Sequence, residues 1–204
     1  MNRGRQNGCC EYPKKYEPEK MECNSHPRPG KETVTILNCG TVAGSAPLSC
    51  NNGIAVNGFG HGTQPLVQAS VVLDTTNLIN PTVKLDFSSL ISFKTSDENY
   101  FLHLAFRLIK ICGSCPIPLG TWTFEKSYSE YGGMQNSESS SLAQSSESAQ
   151  ETDPFCFSWC ECDDCPSCCR YIVEIIDQHC YNIEYAVVSN ISLTAMAVGT
   201  KKHY

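Results

Sequence analysis

The chain has 204 residues, 14 of them cysteines, with a net charge of −6 and a pI of about 5.3. This length suffices for one domain with its own core plus tails, so disulfides are not needed in place of a core. Seven of the 15 basic and five of the 21 acidic residues lie in the first 32 positions, leaving eight bases against 16 acids. The body therefore offers no basic face, and we expect no nucleic-acid partner.

Residues 1–32 are predicted to be a flexible arm without a core, because they hold four prolines and almost no large aliphatic side chains. The arm has no apolar signal region, so no secretory signal is expected. It carries the adjacent pair Cys9 and Cys10, and also Cys23. Neighbouring cysteines rarely bond to each other, so these thiols suit cross-links to other chains. The alternative is an unpaired, disordered tail.

The body begins with a β-like run at residues 33–38. Residues 39–65 are rich in Gly, Asn, Ser and Thr, which predicts mostly loop with one short strand at 54–56.

From residue 66 onward the pattern is consistently that of strands. The predicted strand runs lie at 66–74, 82–93, 100–111, around 121–125 and 155–160, and at 171–177, 183–188 and 191–197. No window shows a helical period, so residues 33–199 are expected to form an antiparallel β-sandwich of jelly-roll type. Alternation places these side chains in the core: Leu102, Leu104, Phe106, Trp122, Phe124, Phe157, Trp159, Leu193 and Ala195.

Residues 129–153 interrupt this pattern with Ser, Glu and Gln, including five acids and no base. Such a composition buries too little apolar area to offset its ordering entropy, so we expect a mobile surface insertion between two strands. Residues 200–204 are expected to be a short tail. No apolar stretch is long enough to span a membrane, because His103, Arg107 and Lys110 break the longest ones.

The densest cysteine group follows the insertion. It comprises Cys156, Cys160, Cys162, Cys165, Cys168 and Cys169, and a further C-x2-C pair is formed by Cys112 and Cys115. These eight cysteines could close disulfides around a turn at 163–167, hold a tetrahedral zinc ion, or remain largely free. In the first two cases they form a structural cysteine turn, and replacing Cys160 or Cys165 should destabilise the domain. Cysteine spacing does not decide between disulfides and a metal ion for these residues.

No catalytic residue is predicted. The five histidines fall in no nucleophile or metal motif, and His103 alternates outward on its strand. Although His179 adjoins Cys180, nothing supplies the third member of a catalytic group. Nucleotide-binding and hydrolase signatures are absent, so the sequence predicts a protein that is not an enzyme and uses no cofactor.

Four blocks of sequence resemble a cysteine-rich family of clostridial domains of unknown function. They are LNCGT (37–41), VLDTTNLINPTVKLDFSS (72–89), PIPLGTWTF (116–124) and FSWCECDDCPSCCRY (157–171). The resemblance covers about residues 33–199 and implies no activity.

The layout is also similar in architecture to the endospore appendage (Ena-type) pilins, which have a jelly-roll body and a cysteine-bearing N-terminal connector. This resemblance implies a self-assembling structural protein of the bacterial spore surface, an appendage or exosporium subunit cross-linked by disulfides. Its partners would be copies of itself and other spore-surface proteins, without a membrane. It would be made in the mother-cell cytosol and oxidised after lysis. The alternatives are a zinc-binding module and a carbohydrate-binding jelly roll using Trp122 and Trp159.

Overall fold

The computed structural model describes residues 32–48, 50, 65–129, 149–162 and 167–202. Within these residues the chain is all-β, as predicted, and contains no helix. The strands are β1 (Thr33–Cys39), β2 (Thr41–Val42), β3 (Ala46–Leu48), β4 (Leu66–Asp74), β5 (Leu78–Thr95), β6 (Tyr100–Cys112), β7 (Cys115–Tyr128), β8 (Gln150–Cys162), β9 (Cys168–Tyr181) and β10 (Ile183–Lys201). No helix among the described residues could therefore serve as a membrane-spanning segment.

The strands form two antiparallel sheets of five strands each. Sheet A has the order β1-β10-β5-β8, with β3 also paired to β10, and sheet B has the order β2-β4-β9-β6-β7. Consecutive strands often lie in different sheets, so both sheets are assembled from distant parts of the chain. The antiparallel pairing of the prediction is confirmed for every strand pair of the described residues.

Period-2 alternation places one face of each sheet in a shared core. In β5, for example, Val83, Leu85 and Phe87 are buried, whereas the intervening residues are more exposed. Seven of the nine predicted core residues are buried: Leu102, Leu104, Phe106, Phe124, Phe157, Leu193 and Ala195. Trp122 and Trp159 are half-buried and pack against the same cluster. Each fully buried large apolar side chain stabilises the fold by about 1.5–3 kcal/mol.

Aromatic side chains connect the sheets on the side where β7 and β8 lie. The ring of Trp122 in sheet B stacks on that of Phe157 in sheet A, with centroids 3.9 Å apart and an angle of 7°. Trp159 approaches Trp122 edge-on at 6.2 Å. Both tryptophans therefore contribute to the contact between the sheets, which explains their half-buried state.

The last two predicted strands are one long strand, β10. Pairing with β5 is irregular between Ser189 and Ser192, where Asn190 has a φ of 49°. Asparagine tolerates this left-handed conformation better than most residues, so the strand continues past the irregularity instead of ending there. β10 also extends through Lys201, into the expected tail.

The expected insertion is shorter at its C-terminal end, because residues 150–153 belong to β8 and pair with Ile91–Lys94 of β5. Charge pairing explains the difference. Lys126 Nζ lies 3.1 Å from Glu151 and 2.9 Å from Asp153, so both carboxylates have a cationic partner. Tyr100 donates a hydrogen bond of 2.8 Å to Glu151, and burial together with this bond raises the pKa of Tyr100 to about 12. Residues 130–148 lie outside the described residues.

Residues 39–65 contain two short strands where mostly loop was expected, and the strand predicted at 54–56 lies outside the described residues. Gly40 marks the crossing from sheet A to sheet B. Its N–H donates a 2.7 Å hydrogen bond to the carbonyl of Leu193. A Cβ at this position would lie 2.8 Å from the Ser70 carbonyl oxygen, so the close approach requires glycine.

Candidate functional site

Ten of the 14 cysteines lie in the described residues, and they fall into two chemical classes. Six are disulfide-bonded: Cys50, Cys112, Cys115, Cys162, Cys169 and Cys180. Four are free and exposed thiols: Cys39, Cys156, Cys160 and Cys168. The described body therefore combines internal disulfides with free thiols at its surface.

One disulfide joins Cys112 at the end of β6 to Cys169 near the start of β9. The two residues are direct cross-strand partners, with Cα atoms 4.4 Å apart. Adjacent antiparallel strands bring directly opposite residues to such distances, so the sheet itself sets the geometry of this bond. A second disulfide joins Cys50, beyond β3, to Cys180 on β9, with 5.5 Å between Cα atoms.

Four of the eight candidate zinc ligands are disulfide-bonded in this arrangement. Cys112, Cys115, Cys162 and Cys169 are engaged in disulfides, so their sulfurs are not thiolates able to bind zinc. Among the residues that the structure describes, no group of three or more metal-binding side chains converges. The predicted role of Cys160 in a stabilising disulfide is corrected, because Cys160 is a free thiol on the exposed side of β8. Cys165 lies outside the described residues.

Three free thiols share the outward face of sheet A. Directly paired residues on neighbouring strands point to the same face, and one such row runs from Cys39 through Thr194 and Asp86 to Ser158. Cys156 and Cys160 flank Ser158 on β8 with the same outward parity. The face thus carries one thiol on β1 and two on β8, at its two opposite margins.

On this face a shallow groove of about 540 Å³ runs from β10 to β8 and is lined mainly by polar residues. Its lining comprises Asp86, Phe87, Ser88, Cys156, Phe157, Ser158, Ser192 and Thr194. Ser158 Oγ donates a 2.6 Å hydrogen bond to Asp86, and Lys84 Nζ lies 2.9 Å from the same carboxylate. These two contacts, with the Ser158 bond the larger, lower the pKa of Asp86. The groove thus brings the free thiol of Cys156 close to the hydroxyl of Ser158 and the carboxylate of Asp86.

The histidines of sheet B form a separate cluster. His103 and His179 are cross-strand partners with ring centroids 5.9 Å apart. His103 lies 3.6 Å from Glu125, and His179 lies 3.1 Å from Asp177. His103 points outward as predicted. Cys180 is in a disulfide, so it is not available as a nucleophile for the neighbouring His179.

Sequence reasoning did not single out Cys39, Cys50 and Cys180 as site residues. Cys39 could have been recognised, because it continues the alternation of the first strand on its exposed side. Cys50 and Cys180 are separated by 130 residues, and no sequence signal joins them. The predicted cross-linking residues Cys9, Cys10 and Cys23 lie outside the described residues.

These features define a class: a cysteine-rich, two-sheet antiparallel β domain with internal disulfides and surface thiols. Residues 33–198 match the family described as a domain of unknown function (DUF4489), and the chain belongs to that family. No curated protein and no solved structure shows significant similarity to it. The match begins and ends almost where the sequence analysis placed the body, so the first 32 residues fall outside the family domain.

Proposed function

We propose that this chain is a structural subunit of the bacterial spore surface, of an appendage or the exosporium, that self-assembles and is cross-linked by disulfides. The observation that carries the proposal is the coexistence of six disulfide-bonded and four free, exposed cysteines in the described body. Disulfides persist in oxidising surroundings, where exposed thiols would form further bonds. A spore surface released by lysis of the mother cell is such a place.

The strand order supports a jelly-roll body. Such folds arrange eight strands in two facing sheets of four. Here β1-β10-β5-β8 faces β4-β9-β6-β7, and β2 and β3 are short additions. Side chains from both sheets meet in one cluster, including Phe87 and Phe106 with centroids 5.9 Å apart. A body of this kind would be the rigid unit of an assembly.

Open strand edges provide a route to self-association. In the described residues β8 pairs only with β5, and β7 pairs only with β6. These strands have 13 and 14 residues, long enough to leave a row of unpaired N–H and C=O groups. Such edges are templates for a strand from another chain. A head-to-tail contact that does not close into a ring would produce a filament.

The N-terminal arm would make the contact covalent. Its 32 residues could span roughly 100 Å if extended, which is ample to reach a neighbouring subunit. Once the arm is held near that neighbour, Cys9, Cys10 and Cys23 would experience a high local concentration of acceptor thiols. The resulting bonds would add kinetic stability that non-covalent docking lacks.

The test compares the full chain with a Cys9→Ser/Cys10→Ser variant after oxidation, using non-reducing and reducing gels. We expect reductant-sensitive multimers of the parent and clearly fewer of them in the variant. Ser25→Ala in the same arm is the matched control and should leave the multimers unchanged. Circular dichroism should be identical for all three proteins. Undiminished multimers in the double variant would show that this pair does not cross-link.

A further inference from the structure

We propose that copies of this chain also join side by side through their bodies, with β1 of one copy added to the edge of the next copy's β8 that pairs with no described strand. A disulfide between Cys39 of one copy and Cys156 of its neighbour would close the junction. The proposal rests on the self-assembly proposed above, but it does not depend on the arm. Cys39 and Cys156 are free and exposed in the single chain.

Strand direction permits this addition. β8 forms one edge of sheet A, and β1 forms the other together with the short strand β3. Each neighbouring pair in the order β1-β10-β5-β8 is antiparallel. With four strands in alternating directions, β1 and β8 run in opposite directions. A copy displaced sideways without rotation would therefore place its β1 antiparallel to β8, and the hydrogen-bond ladder would continue across the junction.

The second sheet ends at the same two sides of the molecule. On one side β7 lies over β8, as the stacked rings of Trp122 and Phe157 show. On the other side β4, which is next to the two-residue edge strand β2, lies near β1, since Asn38 Nδ2 donates a 2.7 Å hydrogen bond to the Val72 carbonyl. Sideways contact thus brings the edges of both sheets together. Leu37 is 64% exposed at this margin, and the contact would cover it.

One register fits the lengths of the two strands. When Cys39 lies opposite Cys156, all seven residues of β1 face Cys156–Cys162. Outward side chains then meet outward ones, with Leu37 opposite Ser158, and the half-buried Ile36 lies opposite Trp159. Placing Cys39 opposite Cys160 instead would leave only three residues of β1 beside the described part of β8.

The geometry of this register suits a disulfide between chains and excludes one within a chain. Directly opposite residues of antiparallel strands have Cα atoms about 4.5–5.5 Å apart, inside the range of disulfides. The bond between Cys112 and Cys169 already joins opposite residues of two strands in this chain. Within one copy, three strand spacings of about 4.8 Å separate β1 from β8, so Cys39 and Cys156 are too far apart to bond.

The bond requires an oxidant, for which a low-molecular-weight disulfide such as oxidised glutathione suffices. The Cys39 and Cys156 thiols lose two protons and two electrons as the S–S bond forms. The glutathione disulfide takes them up and leaves as two thiols, by way of a mixed disulfide.

The experiment uses the full chain with Cys9, Cys10 and Cys23 replaced by Ser, called here the arm-Ser background. The protein is oxidised with oxidised glutathione, quenched with a maleimide and run on non-reducing gels. We expect a reductant-sensitive ladder that is lost on Cys39→Ser or Cys156→Ser. Cys160→Ser and Cys168→Ser are matched controls that should keep it, since each removes another free, exposed thiol. Circular dichroism should confirm that every variant is folded.

A mixing experiment tests the pair directly. In the arm-Ser background, the Cys39→Ser and Cys156→Ser variants should each stay monomeric on oxidation. Their mixture should form covalent dimers and nothing longer, because one junction restores one thiol pair. A ladder that survives Cys156→Ser, or a mixture without dimers, would overturn the proposed bond.

The arm cross-link and the bond between Cys39 and Cys156 can be disproved independently of each other. If the arm-Ser background forms no covalent multimers while the parent does, the β1 to β8 bond is wrong and the arm link stands. If the arm-Ser background forms the ladder as well as the parent does, the arm link is wrong and the edge bond stands.

Discussion

Lys110 of β6 and Glu161 of β8 form an ion pair between the two sheets, with 2.8 Å from Nζ to Oε1. Their side chains are only 3% and 12% exposed. Tyr171 donates a 2.9 Å hydrogen bond to the same carboxylate oxygen. Removal of one partner would leave the other as a buried charge without its counter-ion, which is a costly state.

Lys110→Met should therefore lower the free energy of unfolding by about 3–5 kcal/mol, measured by urea denaturation. Lys110→Met combined with Glu161→Leu should recover a large part of that loss, because no buried charge remains. The control is Lys84→Met, whose ion pair with Asp86 is more than 40% exposed on both sides and should therefore contribute far less to stability. Equal losses for Lys110→Met and Lys84→Met would contradict the buried pair.

The second prediction is that the disulfide between Cys112 and Cys169 stabilises the domain. It closes a sequence separation of 57 residues at the junction of β6 and β9. Replacing both cysteines by Ser should destabilise the domain by about 2–5 kcal/mol, the usual range for loss of a native disulfide. Cys160→Ser, which removes a free thiol, should change the denaturation midpoint little. A midpoint for the double variant equal to that of Cys160→Ser would show that this bond contributes nothing to stability.

Most strands could be predicted from the sequence because alternation is local. The run Leu102, Leu104, Phe106 and Leu108 has a period of 2, and the structure buries all four. Lys110 follows Leu108 by two positions and so lies on the same side of the strand. The alternation that predicts the strand therefore also predicts that Lys110 is buried. Its partner Glu161 could not be inferred, since it comes from another sheet and 51 residues further along the chain.

The pairing of cysteines was beyond sequence reasoning for a similar reason. Whether Cys112 meets Cys169 depends on the register of β6 against β9, and turns and bulges elsewhere in the chain fix that register. Cysteine spacing indicated a structural turn but left disulfide and metal open. The end of the insertion was also missed, because the contacts of Glu151 and Asp153 with Lys126 are not visible in local composition.

Gly40 gives a third prediction, concerning the crossing between the sheets. A Cβ on Gly40 would lie 2.8 Å from the Ser70 carbonyl oxygen and 3.0 Å from that of Leu193, and neither backbone atom can move freely. Gly40→Ala should cost about 1–3 kcal/mol in thermal or urea unfolding, as other overpacked positions do. Gly44→Ala is the control, because a Cβ there meets nothing within 4 Å. If both variants unfold at the same midpoint, the crossing is less tightly packed than these distances indicate.

The last prediction concerns the pH dependence of Asp86, on the face that carries the free thiols. The hydrogen bond donated by Ser158 and the contact with Lys84 lower its pKa in the folded protein. In the unfolded chain the carboxyl should titrate near its ordinary value of about 3.9. Because the folded pKa is the lower of the two, the carboxylate stabilises the fold above pH 4 or so, and this contribution is lost as the pH falls through the folded pKa.

Asp86→Asn removes the charge with little change in shape, so the stability difference between parent and variant should report this contribution. We expect a difference of roughly 0.2–1 kcal/mol at pH 7, since the side chain is partly exposed. That difference should shrink progressively below about pH 4. Carboxyl chemical shifts measured by NMR should give the lowered pKa directly, and Ser158→Ala should move it back towards the ordinary value. A stability difference that stays constant from pH 7 to pH 3 would show that the charge of Asp86 does not contribute to the stability of the folded domain.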